Sequence, residues 1–178
     1  DLMLTLEQLI AIMPYAGKTR AAMFLWPLNE AMKESHIDTP GRQAAFLAQI
    51  AHESGSLRYV REIASGSAYE GRKALGNTQK GDGVRYKGRG LIQITGRANY
   101  TECAKALDLP LVDHPYLLEV AGNACRSAAW FWQSRNLNEL ADAGDFLRIT
   151  KRINGGMNGL EDRKAYYEKA KRVLKGEA

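Results

Sequence analysis

The sequence predicts a mainly α-helical domain carrying a small β-sheet and loop lobe. Three features point there. Apolar residues recur at helical spacing in the first third and the last half, a glycine-rich run separates the two, and a short alternating stretch closes that run. With 178 residues, 45% of them hydrophobic, the chain holds one core and leaves no room for a second of ordinary size. Residues 1–178 are therefore read as a single domain.

Leu6, Leu9, Ile10 and Met13 lie at helical spacing before Pro14, and Ala22, Leu25, Trp26 and Asn29 continue the pattern towards Met32. Thr39-Pro40 reads as a helix start, with the hydroxyl as cap and proline at the first helical position. That helix is expected to run to about Ser54 and stop at Gly55. From Ser65 to Gly90 there are seven glycines among charged and polar residues, more than a long regular element tolerates. A long loop inside a compact domain is uncommon and usually functional. Leu91 to Thr95 alternates as a short strand does. Helices are expected again over Ala98 to Leu107, Ala121 to Gln133, Asp145 to Ile153 ending at Gly155-Gly156, and about Glu161 to Lys175.

Composition narrows the function classes. The net charge of +5 favours an anionic partner: nucleic acid, a lipid or teichoic surface, or an acidic polymer. No run reaches the length of a membrane span. Cys103 and Cys125 form no metal motif and are expected to be free buried thiols. His36, His52 and His114 are scattered, and His52-Glu53 lacks a second histidine four residues after the first, so no metal is expected. Gly83 to Gly88 is followed by Arg89-Gly90 where a phosphate loop has Lys and Ser or Thr, which rejects a nucleotide site. Arg85-Tyr86-Lys87-Gly88-Arg89-Gly90 mixes cations with a stacking ring, as a nucleic-acid module does, but that reading leaves Glu53 unexplained.

In the helix from Pro40, Glu53 falls on the same face as Phe46 and Ile50. Two readings stand. One is a helix-end glutamate whose stem packs while its head reaches water. The other is a carboxyl kept protonated by apolar surroundings, as a general acid must be, unless a cation sits close by. Glycoside cleavage needs a second carboxylate, and Glu62 lies nine residues on, past the helix end. Arg61 beside it is expected to keep it ionised. Glu70, on the loop, competes for the same role.

Ala51-His52-Glu53-Ser54-Gly55, Tyr86 to Thr95, Asn99-Tyr100, Arg152-Ile153-Asn154-Gly155-Gly156 and Asp162-Arg163 together resemble glycoside hydrolase family 19, which contains plant-type chitinases and many bacteriophage endolysins. The blocks span roughly residues 48 to 167, and the run from Lys87 to Tyr100 is the most specific. The resemblance implies a lysozyme-like α+β fold with a substrate cleft. It implies Glu53 as general acid, Glu62 as second acid at the endolysin spacing, and Thr95 as the hydroxyl that helps hold the attacking water. Gln93, Asn99, Asn154 and Arg163 fall on cleft positions, with Tyr86 and Arg89 as weaker members. On a strand, Gln93 and Thr95 would project from one side.

Implied activity is inverting hydrolysis, with the two carboxyls roughly 6.5 to 9.5 Å apart to admit water. Peptidoglycan glycan strands are the expected substrate, with chitin as the alternative of the same fold. A lytic transglycosylase, with one carboxylate and an anhydro product, is the nearest mechanistic rival. No cofactor is expected, because acid and base suffice for an acetal. The chain is expected to act as a monomer, without nucleic acid. It is also expected to lack a secretion signal and to be made in the host bacterial cytoplasm before release to the wall. Arg163, Lys164, Lys169, Lys171, Arg172 and Lys175 give the last helix a basic face that suits an anionic envelope surface.

Overall fold

Thr5 starts the first helix. In the computed structural model, which describes residues 3–176, its hydroxyl accepts the Gln8 amide while the Gln8 side chain accepts the Thr5 amide, a reciprocal cap that sets α1 (Leu6–Ile12). α2 (Lys18–Glu34) starts earlier than the pattern indicates and passes through Pro27. The carbonyl this deprives of a partner belongs to Met23, which is exposed and open to water. Its core face is Ala21, Phe24, Leu28, Ala31 and Met32, whereas Ala22 and Trp26 face solvent. This corrects the stripe expected from spacing. Asn29 selects the face, because its side-chain amide bonds both the N–H and the C=O of Leu4 at 2.8 and 2.9 Å.

α3 (Pro40–Glu53) begins at the expected cap, with the Thr39 hydroxyl accepting from the Arg42 amide. Every residue from Gln43 to Ala51 is buried, so this helix is the axis of the domain. Phe46 meets Trp132 edge to face at 5.4 Å, a contact worth about 1 kcal/mol beyond the area it buries. The remaining helices are α4 (Asp82–Arg85), α5 (Arg97–Leu107), α6 (Ala121–Ser134), α7 (Leu137–Asp142), α8 (Phe146–Asn154) and α9 (Leu160–Leu174). α9 lies along α3, and α2 lies along α6. Short α4 and α7 have no counterpart in the sequence reading.

The predicted strand at Leu91 to Thr95 is absent, and with it the small sheet. Among the described residues the ladder consists of two isolated antiparallel bridges, Arg61 with Arg89 and Arg89 with Ile94. Alternation fails because Leu91 and Ile92 are both buried. The backbone is also spoken for: Gly90 N–H donates to Val60 O and Leu91 N–H to Ala124 O, which stops a ladder from propagating.

Two cores result. The larger gathers α1, α2, α3, α6 and α9, and the smaller sits under the loop lobe with Tyr86, Ile94, Tyr100, Cys103, Leu107, Leu111 and Leu118. Cys103 belongs to the second and Cys125 to the first, and both are free. Burial pushes the Cys103 thiol up to about 12 and raises that of Cys125 as well. No helix of the described residues is long and apolar enough to cross a membrane.

Candidate active site

Glu53 is the last residue of α3 and meets the first turn of α9. Arg163 Nη2 lies 2.7 Å from Glu53 Oε1, with the arginine side chain 1% exposed and the glutamate 25%. The same guanidinium donates to Gln49 Oε1 at 2.6 Å and to Asn158 O at 3.0 Å. Gln49 in turn donates to the Thr150 hydroxyl. One rung back, His52 Nδ1 lies 2.7 Å from Asp162 Oδ2, so residues 52 and 53 pair in order with 162 and 163. Gly159 is required here, since a Cβ would overlap the His52 ring. Glu53 Oε2 carries no bond to the described residues.

The expected apolar surround of Glu53 is corrected to an ion pair. Arg163, expected at the cleft, is fully buried and anchored three ways, with Glu53 as one of its partners. The helical wheel of α3 is silent on a cation arriving from another helix.

After Glu53 the chain makes a left-handed turn, with φ of 57° at Gly55, 60° at Ser56 and 69° at Leu57. Two non-glycine residues in this region cost about 1–2 kcal/mol each. The turn is held by Leu57, which is buried, by Leu57 N–H donating to Ser54 Oγ, and by a 2.9 Å bond between Ser56 Oγ and Tyr166 Oη. Such strain, placed between the two candidate acids, fixes how the chain leaves one and arrives at the other.

Glu62 is held as an acceptor at both oxygens. Gly88 N–H donates to Oε1 at 2.6 Å and Tyr69 Oη donates to Oε2 at 2.9 Å. Its own N–H donates to Gly88 O. Arg61, expected beside it, turns instead towards Glu119 at 3.4 Å. Tyr69 is a functional candidate that sequence reasoning missed, because nothing in its neighbourhood is periodic. Its hydroxyl is raised above the ordinary phenol range by burial first and by the Glu62 bond second. Glu70 spends both oxygens on the Gly81 and Gly83 amides at 2.9 Å, which lowers its carboxyl and braces α4. This makes it a loop clamp.

Gln93 and Thr95 do not share a strand face. Gln93 is exposed in the turn between the bridged Arg89 and Ile94, packed so tightly on Gly88 that a Cβ there would lie 2.5 Å from Gln93 Oε1. Thr95 is half-buried, and its carbonyl accepts from Asn99 Nδ2 at 2.8 Å. The Thr95 hydroxyl and Asn99 Oδ1 have no bond to the described residues. Contact thus chains Glu62, Gly88 and Gln93, and the backbone carries on to Thr95 and Asn99. Asn154, half-buried at the end of α8, makes no side-chain hydrogen bond to either group among the described residues.

Tyr86 and Arg89, expected as weaker cleft members, are both buried and spend their polar atoms within the fold. Tyr86 is 1% exposed, donates to Val112 O and packs on Tyr100 at 5.1 Å. Arg89 donates to Glu119 Oε2 at 2.8 Å, Arg85 O and Tyr100 Oη. Tyr100 Oη donates to Lys87 O, so the residues on both sides of Gly88 are pinned from behind. Among the described residues, no cluster of histidine, cysteine and carboxylates has metal-binding geometry.

Comparison with known proteins agrees with this architecture. Residues 31–143 match the family profile described as chitinase class I, within which Glu53, Glu62, Gln93, Thr95 and Asn99 fall and beyond which Asn154 and Arg163 lie. A glycosyl hydrolase family 19 domain-containing protein of Haemophilus influenzae is 33% identical over 160 residues, covering 71% of this chain and 76% of that protein. An endochitinase of Arabidopsis thaliana is 42% identical over 114 residues, covering 64% of this chain and 38% of its own length. The crystal structure of a bacterial family 19 chitinase superposes with a TM-score of 0.81 at 20% identity, over 98% of this chain and 95% of that one. The class is that of the glycoside hydrolases. Within it, the chain belongs to glycoside hydrolase family 19.

Proposed function

We propose that this chain is an endolysin-type hydrolase that cuts β-1,4 bonds in peptidoglycan glycan strands with inversion. Glu53 gives its proton to the leaving sugar oxygen. Glu62 takes a proton from the water that attacks the anomeric carbon from the opposite face, and the Thr95 hydroxyl orients that water. The observation that carries this reading is the contrast between the carboxyls. Arg163 fixes Glu53 Oε1 and leaves Oε2, which has no bond to the described residues, as the oxygen that carries the proton to the sugar, while both Glu62 oxygens accept hydrogen bonds, as a charged base does. Each Glu62 oxygen keeps a second lone pair for water. Gln93, Asn99 and Asn154 supply amides to sugar hydroxyl and acetamido groups.

Peptidoglycan over chitin rests on charge. Chitin carries no ionised group, whereas peptidoglycan bears acidic stem peptides, and this chain has a net charge of +5. The second reading, chitin hydrolysis, is favoured by the likeness to endochitinases. We further propose action as a monomer, synthesis in a bacterial host cytoplasm before release to the wall, and approach to an anionic envelope through α9. Its exposed cations there include Lys164 and Arg172, while Lys171 pairs with Glu168 at 2.9 Å. Digestion of purified peptidoglycan and of chitin oligomers, with product mass spectrometry, tests the choice. Muropeptides released at rates well above those of chitin fragments support it, and chitin turnover alone overturns it.

A further inference from the structure

Glu62 forms one side of a depression of about 580 Å³ that extends away from it. Its charged lining is Arg58, Arg61, Lys87, Glu62 and Glu119, and the exposed side chains of Tyr59 and Ile63 flank it. The carboxylates are both engaged. Glu119 is bound by Arg89 at 2.8 Å and Arg61 at 3.4 Å, and Glu62 by Tyr69 and Gly88. The cations are not balanced in the same way. Arg58 donates through Nε to Gly55 O and leans over the Tyr59 ring at 5.8 Å, and neither it nor Lys87 has a carboxylate partner among the described residues. Arg58 is also held by the strained left-handed turn that ends at Leu57, so its placement is built into the backbone. The lining thus carries three cations against two carboxylates, and Arg58 and Lys87 are the cations that stand next to the candidate base without an ion pair among the described residues.

We propose that this depression is a binding site for the carboxylates of the peptidoglycan stem peptide, with Arg58 and Lys87 as its charged contacts. The inference rests on the peptidoglycan reading above and deepens it. A stem peptide hangs from the lactyl ether of one sugar in two and carries several free carboxylates. A strand of N-acetylglucosamine carries none, so the uncompensated charge has nothing to pair with in chitin. Tyr59 and Ile63 offer apolar surface to the alanine and alkyl parts of the peptide. Bound there, the peptide fixes which sugar lies beside Glu62, and so which bond is cut.

The test uses the full chain and the free tetrapeptide L-Ala-D-isoGlu-meso-diaminopimelate-D-Ala, titrated by NMR or calorimetry. Expected is saturable binding that weakens as salt is raised, weakens about ten-fold or more in Arg58→Glu/Lys87→Glu, and survives in Arg58→Lys/Lys87→Arg. The neutral pair Arg58→Gln/Lys87→Gln serves should the charge reversal misfold, and it is expected to weaken binding several-fold. Absence of saturable binding, or equal affinity in the folded neutral pair, overturns the proposal. Release of new reducing ends from intact, peptide-bearing peptidoglycan is measured in parallel. Its failure sinks the glycosidase reading and leaves the peptide result standing on its own.

Discussion

Arg163 and Glu53 meet at 2.7 Å where the end of α3 reaches the start of α9, and the arginine that makes this contact is almost wholly enclosed. A planar, five-donor fork shared among Glu53, Gln49 and Asn158 O leaves the carboxyl little rotational freedom. The Glu53 carboxyl is thus held by a side chain that is itself closed off from solvent.

Arg163→Lys keeps the charge and loses the fork. Expected is a fall in kcat of about ten- to a hundred-fold with KM changed less than about two-fold, because aim is lost and sugar contacts remain. Arg163→Ala goes further, leaving Glu53 and buried Gln49 without their donor and costing about 3 kcal/mol of stability. Steady-state kinetics on glycan oligomers and thermal melts separate the two effects.

Tyr69→Phe removes one of the two donors to Glu62. Activity is expected to drop about ten-fold, the cost of one hydrogen bond to a charged group. The raised phenol of Tyr69 also fixes a sign. A group whose folded value lies above its unfolded one contributes stability in full below the unfolded value, near pH 10 for tyrosine, and loses it as pH climbs through the folded value. Melts of wild type and variant are therefore expected to converge only above about pH 10.

Glu62→Gln and Glu70→Gln distinguish base from clamp. The first is expected to abolish turnover by about a thousand-fold or more, while the second, which weakens the Gly81 and Gly83 bonds, leaves kcat within about three-fold and raises proteolysis of the loop. Equal losses from the two would reassign the base.

Asp82→Asn probes stability away from the chemistry. Asp82 is 1% exposed at its side chain and paired with Arg97 at 2.8 Å, which holds its carboxyl below the ordinary range. A depressed value contributes stability above the unfolded pKa, near 3.9, and loses it as pH falls through the folded value. The variant is expected to be less stable by about 2 kcal/mol at neutral pH, and the gap to close as pH drops from about 4 towards 2.

These expectations separate what the chain's pattern revealed from what it hid. The cap at Thr39, the stops at Gly55 and Gly155, and the last four long helices were legible because they follow from local propensity and a single periodicity. The irregular course from Gly90 to Thr95, read as a strand, was not, because the Gly90 and Leu91 amides bond Val60 and Ala124, partners that only the tertiary fold brings near. Glu53, Glu62 and Thr95 were put forward from a motif, which says nothing of the residues that pack behind them. Arg163, Tyr86 and Arg89 were read as cleft positions although each is buried, and Tyr69 had no signal. Each depends on which distant element packs behind it.

The stereochemistry of the first product tests the central claim most directly. Purified glycan strands, followed by proton NMR within the first minutes of cleavage, are predicted to yield new reducing ends as the α anomer, and Glu53→Gln is predicted to yield none. A β anomer formed first, or 1,6-anhydro ends in the mass spectrum, would contradict an acid at Glu53 working with a water-activating base at Glu62.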